Sequence, residues 1–586
     1  MRALSLLGTL LLAKAIVLFE RNLSWSPWAV LAFFWQDVFV VLCFALLDAR
    51  LRSARLAWIA YGIICSYVAI NVPLTELLST PLTWPMMRAA RGALGDSVRH
   101  HFIWTNVWPI AVVLLCALGV PILTSRYRLR PHWTIYALAT TIVAFGPLAA
   151  TRFETQGLHR NALFALLAST IPRIEAKRAI YDWRVSPYAR PPEEAALKQF
   201  YGLAAGRNVV LVLLESTGAA YLRAYGAAED PTPNLTALTE ESIVVENTYA
   251  VYPESIKGLF SVLCSQFPAF DTQPEIYETV CDPSVAKVLR EAGYRAGLFH
   301  SGRFDYLGMH SIIRNRGFEI LEDAGDIGGN HKSSFGVDEP ATVRRVLQWI
   351  ASLASTEKFF ITYLPIAGHH PYDSPNGGPF PAAGDLGRYH NALHYGDAAL
   401  GELIRELRKR GLYEKTLFIF AGDHGEAFGQ HAGNFAHTLS IYEENVRVPC
   451  IITAPGLFKK RTQLKEVASL IDIAPTVLDL LGIQAPRAFQ GRSLLAGSNR
   501  MALFYTDYSL GFLGLRDGNW KLIYELESGR AKLFDLQQDP LERTNSASKY
   551  PDRARLYRER LLQWSAAQRE RVLRGSQSPL PQRRGS

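Results

Sequence analysis

Cysteine is scarce in this 586-residue chain: there are six, and no two stand at the spacing of a zinc-binding pair. That excludes a small disulfide-stapled scaffold and a cysteine-based zinc module. Net charge is also scarce where a nucleic-acid surface would need it. Lys and Arg number 62 against 53 Asp and Glu. Residues 1–150 carry 12 basic and 5 acidic residues, whereas the remaining 436 carry 50 and 48. The basic surplus thus lies in the most apolar part of the chain, and no nucleic-acid partner is expected. There is no internal repeat. Low complexity is confined to GSQSPLPQRRGS at 575–586, which reads as a disordered tail. The length exceeds one ordinary core and implies at least two structural units.

Apolar length is plentiful at the N-terminus. Five stretches, roughly 3–19, 27–47, 56–77, 103–124 and 133–150, approach or reach the ~20 residues a helix needs to cross hydrocarbon. FERNLSWSP after the first offers no small-residue cleavage site, so this stretch reads as a retained span rather than a signal peptide. Arg50, Arg52 and Arg55 lie between spans two and three, and Arg126, Arg128 and Arg130 between spans four and five. Positive loops stay cytoplasmic, which places everything after span five outside. Arg88, Arg91 and Arg99, between spans three and four, weaken this bias without reversing it. Lys14 and Asp37 lie inside spans; Lys14 can snorkel to the surface, or the two can pair. In the connector, 151–207, GLHRNALFALLASTIPRIEAKRAI has helical apolar and basic spacing, suited to a membrane surface or to packing on a soluble domain.

From Asn208 the pattern becomes strand-like runs alternating with helical ones, which predicts a mostly parallel sheet covered on both faces. Sites in such sheets lie at the carboxyl ends of strands. Three polar clusters fall there: Glu215-Ser216-Thr217 after NVVLVLL, His369-His370-Pro371-Tyr372 after KFFITYLPIAG, and Asp423-His424-Gly425-Glu426 after TLFIFAG. A carboxylate from one strand with Asp and His from another is a plausible oxygen and nitrogen set for a divalent cation.

TPNLTALTEESIVVENTYAVYPESIKGLFSVLCS, RYHNALHYGDAAL, FAGDHGEAFGQHAGNFAHTLSIYEENVRVPCIITAPG, SLIDIAPTVLDLLGI and GNWKLIYELESGRAKLFDLQQDPLERTNSA resemble, in order over 208–550, the sulfatase-type branch of the alkaline phosphatase superfamily. With five preceding spans, the architecture resembles lipoteichoic acid synthases and the membrane phosphoglycerol and phosphoethanolamine transferases. The resemblance implies an α/β chain: a five-helix transmembrane domain (1–150), the connector, and an extracytoplasmic α/β/α sandwich (208–574) with a C-terminal subdomain near 496–560. It implies a bacterial cytoplasmic-membrane enzyme that moves a phospho-headgroup from a phospholipid donor to a glycan or lipid acceptor. The alternatives are a phosphoric or sulfuric ester hydrolase of the same fold and a non-catalytic relative.

Matched position by position, the resemblance implies Glu215, Asp423, His424 and Ser255 as metal ligands, with Ser255 also the nucleophile. It implies His369 as a catalytic substrate histidine, and His437 as a phosphate donor or ligand of a second metal. His431, His300 and Arg303 are further candidates at the headgroup. One or two divalent ions, Zn²⁺ or Mn²⁺ ahead of Ca²⁺, suit this donor set. Coordination activates a serine hydroxyl, and a helix N-terminus near Lys257 would favour the phosphoryl anion through its N–H groups. Ser255-Ile256-Lys257-Gly258-Leu259 lacks the Pro and Arg of the Cys/Ser-x-Pro/Ala-x-Arg signature, which argues against the modified aldehyde of true sulfatases. The membrane transferases usually carry Thr where this chain has Ser255. Cys264 and Cys281 are either a disulfide just past the nucleophile segment or two buried thiols.

Overall fold

The computed structural model describes residues 1–19, 26–78, 80–89, 103–124, 133–188, 197–281, 283–329, 336–375, 377–497 and 500–575. They form two compact units. One comprises Met1–Arg173 with Tyr508–Leu510 and Glu525–Arg530; the other comprises the remainder.

The first unit holds five helices long and apolar enough to cross a membrane: α1 (Arg2–Phe19), α2 (Pro27–Arg50), α3 (Ala54–Leu78), α4 (Trp104–Thr124) and α5 (Trp133–Arg152). Ser26 accepts from the Trp28 N–H and Pro27 occupies the first turn of α2, a standard start signal. Leu6, Leu10, Phe33, Ala69, Val72 and Val113 form the helical core. Leu46, Ile63, Leu115 and Leu138 point outward, as a lipid solvent permits. Lys14 does not snorkel. Its ammonium lies 3.3 Å from Asp37 and donates to the carbonyls of Leu158 (3.0 Å) and Arg160 (3.1 Å), while Asn161 Nδ2 donates to Asp37 at 2.6 Å.

The long connector helix does not form. Helix α6 covers only Ala162–Ala168, capped by the Asn161 side chain. Pro172 follows closely, and the residue before a proline is driven away from helical dihedrals. Arg91, Arg99, Arg126, Arg128, Arg130 and the tail after Gly575 lie outside the described residues, as does the Arg88 side chain.

The second unit is built on a nine-stranded sheet. Its strands are β1 (Asn208–Leu214), β2 (Ser242–Tyr249), β3 (Tyr294–His300), β4 (Ile320–Glu322), β5 (Lys358–Leu364), β6 (Thr416–Gly422), β9 (Arg447–Val448), β10 (Cys450–Thr453) and β11 (Thr462–Ser469); β7 (Ala427–Phe428) and β8 (Phe435–Ala436) form a small separate hairpin. The order is β11-β2-β10-β6-β1-β5-β3-β4, with β9 on β2. β1 runs parallel to both β5 and β6, whereas β10 is antiparallel to β6 and β2. Every residue of NVVLVLL is buried, as a strand covered on both faces requires.

Two apolar cores flank the sheet. One packs helix α7 (Ser255–Cys264), and the other packs α8 (Glu339–Ser352) and α9 (Asp385–Lys409). After α10 (Ile473–Leu480), a four-stranded sheet of β12 (Met501–Thr506), β13 (Phe512–Asp517), β14 (Trp520–Glu525) and β15 (Ala531–Asp535) precedes α11 (Pro551–Arg574).

Cys264, the last residue of α7, is disulfide-bonded to Cys281, with Cα atoms 5.6 Å apart. Closing a loop of this size removes about 3 kcal/mol of unfolded-state entropy. Cys264→Ser with Cys281→Ser should therefore lower unfolding stability of the full chain by about 2–4 kcal/mol in denaturant titration, and a reductant should add no further loss to that variant.

Candidate active site

Adjacent parallel strands bring the two acidic clusters together. Leu214 at the end of β1 is in register with Gly422 at the end of β6, so Glu215 and Asp423 emerge side by side. The Asp423 N–H donates to the Leu214 carbonyl at 3.1 Å. Asp423 Oδ1 accepts from the N–H groups of Ser216 (2.9 Å) and His424 (2.7 Å). His424 Nε2 lies 3.5 Å from Glu215 and 3.6 Å from Asp423. Its other nitrogen, Nδ1, contacts the Gly425 carbonyl at 3.0 Å, which fixes Nε2 as the unprotonated atom facing the carboxylates.

Ser255 opens α7 and donates its hydroxyl to Glu215 Oε2 at 2.8 Å, with His424 Nε2 at 3.3 Å. Its neighbours Ser216 and Thr217 also carry hydroxyls at this strand end. Ser216 is fully buried at 0% exposure and donates to Glu215; Thr217, at 2%, donates to the Glu215 carbonyl. Ser255 is half-buried and reachable. The helix N-terminus differs from expectation in one respect. Glu254 caps α7 and accepts from the Ile256 and Lys257 N–H groups, so these do not await an anion. Lys257 is turned away onto Asp507 (2.8 Å) and the Tyr252 ring.

The loop after β5 brings His369 to the same place. A Cβ on Gly368 would stand 2.1 Å from the Glu215 carbonyl, so only glycine lets this loop lie against the Glu215 backbone. His369 Nδ1 donates to the His370 carbonyl at 2.6 Å, and its ring centroid is 6.5 Å from that of His437. The His437 ring lies tilted against His424, with centroids 4.2 Å apart, and hydrogen-bonds through Nδ1 to Glu426 Oε2 at 2.7 Å.

Glu426 is the residue that sequence reasoning left without a role. It is fully buried, and its other carboxylate oxygen accepts from Tyr372 at 2.6 Å. The signal was its place in the Asp-His-Gly-Glu run; the register that turns it toward His437 was not visible. Burial pushes its carboxyl up to about 7.

The outer candidates separate. His300, at the end of β3, is buried, bonded through Nδ1 to the Leu364 carbonyl at 3.0 Å and stacked on Phe304. Burial lowers its pKa, and it feels the charges of Glu215 and His369, which places it in the wall of the site. Arg303 is exposed in the next loop and makes no hydrogen bond or ion pair to the Glu215 group among the described residues. His431 is not brought there. It bonds to Glu444 at 2.7 Å and stacks on Tyr442 at 3.6 Å, because the β7–β8 hairpin carries it toward Glu443–Val446.

The electrostatics fit a cation. Burial works against the charge of Glu215, yet the nearby histidines and the Ser255 hydroxyl outweigh it and hold its carboxyl at about 2. Burial and the Glu215 charge push Asp423 well above the carboxylate range. Two buried carboxylates in contact resist joint ionisation unless positive charge joins them. Ligand atoms of Glu215, Asp423 and His424 all lie within 4.8 Å of one another, as do those of His424, Glu426 and His437. Either group could hold a divalent metal ion.

Comparison with known proteins follows the same lines. Residues 207–483 match the sulfatase family, and residues 431–565 match the family described as N-sulphoglucosamine sulphohydrolase, C-terminal. The chain carries a sulfatase-family domain. That domain marks the protein as a sulfatase-like enzyme. Arylsulfatase K of Bos taurus is 27% identical over 416 residues, covering 57% of this chain and 74% of that protein. Lipoteichoic acid synthase 2 of Bacillus subtilis (strain 168) is 23% identical over 463 residues, covering 70% of each. The crystal structure of the lipoteichoic acid synthase LtaP from Listeria monocytogenes shares the fold of the sulfatase-family domain, with a TM-score of 0.51 at 21% identity, over 67% of this chain and 97% of that one.

Because Glu426 holds both His437 and Tyr372, Glu426→Ala should lower kcat by about 10- to 100-fold, the usual effect of removing a residue that orients a metal-site side chain. Metal held at the Glu215–Asp423–His424 group should persist by elemental analysis, whereas Asp423→Ala should lose it.

Proposed function

We propose that the protein is a membrane-anchored phosphotransferase with an extracytoplasmic catalytic domain. It transfers a phosphoglycerol- or phosphoethanolamine-type headgroup from a phospholipid to a glycan or lipid alcohol. The observation that carries this reading is the Ser255 hydroxyl, reachable at the head of α7 and hydrogen-bonded to Glu215 within the Glu215–Asp423–His424 group. Five helices able to cross a membrane on the same chain support a lipid donor, and so does the likeness to lipoteichoic acid synthases. The Cys264–Cys281 disulfide supports an oxidising compartment for the domain.

Glu215, Asp423, His424 and Ser255 would hold the metal, Zn²⁺ or Mn²⁺ from the donor set. When bound, it lowers the pKa of the serine hydroxyl and offsets charge on the phosphoryl oxygens. Ser255, its proton given up to water, attacks phosphorus through Oγ, and the bond from phosphorus to the diacylglycerol oxygen breaks. His369, on the loop held against Glu215, protonates the leaving oxygen. Diacylglycerol departs and the headgroup remains as a phosphodiester on Ser255. His369, now neutral, takes the proton of an acceptor hydroxyl as that oxygen attacks the phosphorus, and the bond from phosphorus to Ser255 Oγ breaks.

The second reading, an ester hydrolase, is favoured by the likeness to arylsulfatase K. It takes a phosphoric or sulfuric ester, and its final acceptor is water.

Three measurements test the proposal. A periplasmic-type reporter fused after Arg152 should be active only outside the cytoplasm; activity inside would refute the exported domain. Ser255→Ala should lower turnover by roughly a thousandfold or more while metal persists, and Ser255→Thr should retain measurable turnover. Mass spectrometry of a trapped intermediate should place the phospho-adduct on the peptide containing Ser255. An adduct on Ser216 or Thr217 would refute the nucleophile, and hydrolysed headgroup as the sole product would leave the hydrolase reading standing.

A further inference from the structure

Taking a lysine and an aspartate out of water costs free energy that their mutual attraction does not always return. Such a pair lies beside the candidate nucleophile. The Lys257 and Asp507 side chains are 8% and 10% exposed, and their charged atoms stand 2.8 Å apart. The proposed phosphotransfer uses neither charge. Lys257 belongs to the first turn of α7, two residues after Ser255, and Asp507 directly follows β12, 250 residues later.

Asp507 does more than neutralise Lys257. Its Oδ1 accepts from the Tyr252 hydroxyl at 2.7 Å and from Lys257 Nζ at 3.1 Å. Its Oδ2 accepts from Lys257 Nζ at 2.8 Å and from the Asp271 N–H at 2.8 Å. Tyr252 and Lys257 bracket Ser255 in the chain, and the Lys257 ammonium also lies 4.3 Å from the centre of the Tyr252 ring. One carboxylate therefore grips the chain on both sides of the nucleophile and ties in the loop after α7. Between the two grips the backbone is bonded to itself. The Glu254 N–H donates to the Tyr252 carbonyl at 2.9 Å, and the Gly258 N–H to the Glu254 carbonyl at 3.1 Å.

This restraint answers a need of the site. The Ser255 hydroxyl has to meet Glu215 Oε2, 2.8 Å away on a different element, and still point at phosphorus. The Glu254 cap fixes where α7 begins, not where the helix lies. A reacting group has to be held to about 0.5 Å by a supporting shell. Burial works against the Lys257 ammonium, yet Asp507 outweighs it and holds the group above the ordinary lysine range, so the pair stays ionised. Each charge cancels the other, which leaves geometry, rather than field, as what the pair gives Ser255.

We propose that Asp507, acting through Lys257 and Tyr252, is a positioning residue that aims the Ser255 hydroxyl at phosphorus. The residue after β12 thus sets turnover without touching substrate. The assignment rests on the reading of Ser255 as the nucleophile.

The test removes the pair without leaving a charge behind. Replacing a buried ion pair by apolar side chains of similar volume is often neutral for stability, whereas deleting one partner is strongly destabilising. The full chain loaded with Zn²⁺ is assayed on bis(4-nitrophenyl) phosphate as wild type, as Lys257→Met with Asp507→Leu, as Tyr252→Phe and as Ser255→Ala. The double variant should keep its metal content, its melting temperature and its KM, while kcat falls by about 100-fold, the effect of misplacing a reacting group by about 1 Å. Tyr252→Phe, which leaves the ion pair in place, should lower kcat by about fivefold, the worth of one hydrogen bond, again at constant KM. Wild-type kcat in the folded double variant would overturn the proposal, and so would a loss carried by KM alone. If the double variant melts early, Tyr252→Phe decides, and an unchanged kcat there overturns the proposal. Ser255→Ala separates the two readings. Its loss of turnover beside a fully active double variant refutes the positioning role alone, whereas undiminished turnover in Ser255→Ala refutes the nucleophile and the positioning role together.

Discussion

Everything at the candidate active site follows from forcing two carboxylates together where water is excluded. The parallel pairing of β1 with β6 leaves no freedom: with Leu214 opposite Gly422, the next residue of each strand must share one small volume. Isolated, that pair would protonate or unfold its surroundings. The fold answers with two backbone N–H groups on Asp423, two hydroxyls on Glu215, and the His424 ring beside both. What remains unsatisfied is positive charge, and a divalent cation is the species that supplies it without demanding a proton.

The reachability of Ser255 is a consequence of that compensation. Of the hydroxyls near Glu215, Ser216 and Thr217 are consumed inside the strand end, the first with a left-handed backbone (φ 53°) that folds it back under the carboxylates. Ser255 arrives from a different element and keeps one side open. Its helix does not act as a general anion trap, since Glu254 already occupies the first N–H groups. An anion bound there would therefore be met by the histidines rather than by the helix.

Much of this was legible before any coordinates. Buried parallel strands read as unbroken apolar runs, and an abrupt switch to Glu, Asp or His marks their carboxyl ends, so Glu215, His369, Asp423 and His424 could be named from pattern. Ser255 needed the family spacing. The rest depended on partners remote in sequence. Glu426 looks like part of one polar run until Tyr372, 54 residues earlier, is seen to bond to it. His431 resembles its neighbour His437 in sequence, but a hairpin and the face of Tyr442 take it elsewhere. The connector failed as a helix for a local reason that was visible, Pro172, and was outweighed by the apolar spacing. β10 is a strand as expected, but nothing in RVPCIIT announces its antiparallel direction, because a strand buried on both faces has the same pattern either way.

The Lys14–Asp37 pair has a consequence for biogenesis. Neither α1 nor α2 can rest alone in hydrocarbon, since each would carry an unpaired charge, so the two are stable there only as a hairpin. Even the hairpin is incomplete when first made: the carbonyls and the amide that finish the network belong to Leu158, Arg160 and Asn161, and the first of these is translated 144 residues after Lys14. The buried charges thus act as an assembly checkpoint. Until the chain beyond α5 has returned to them, the bundle holds a polar defect that lipid cannot mask.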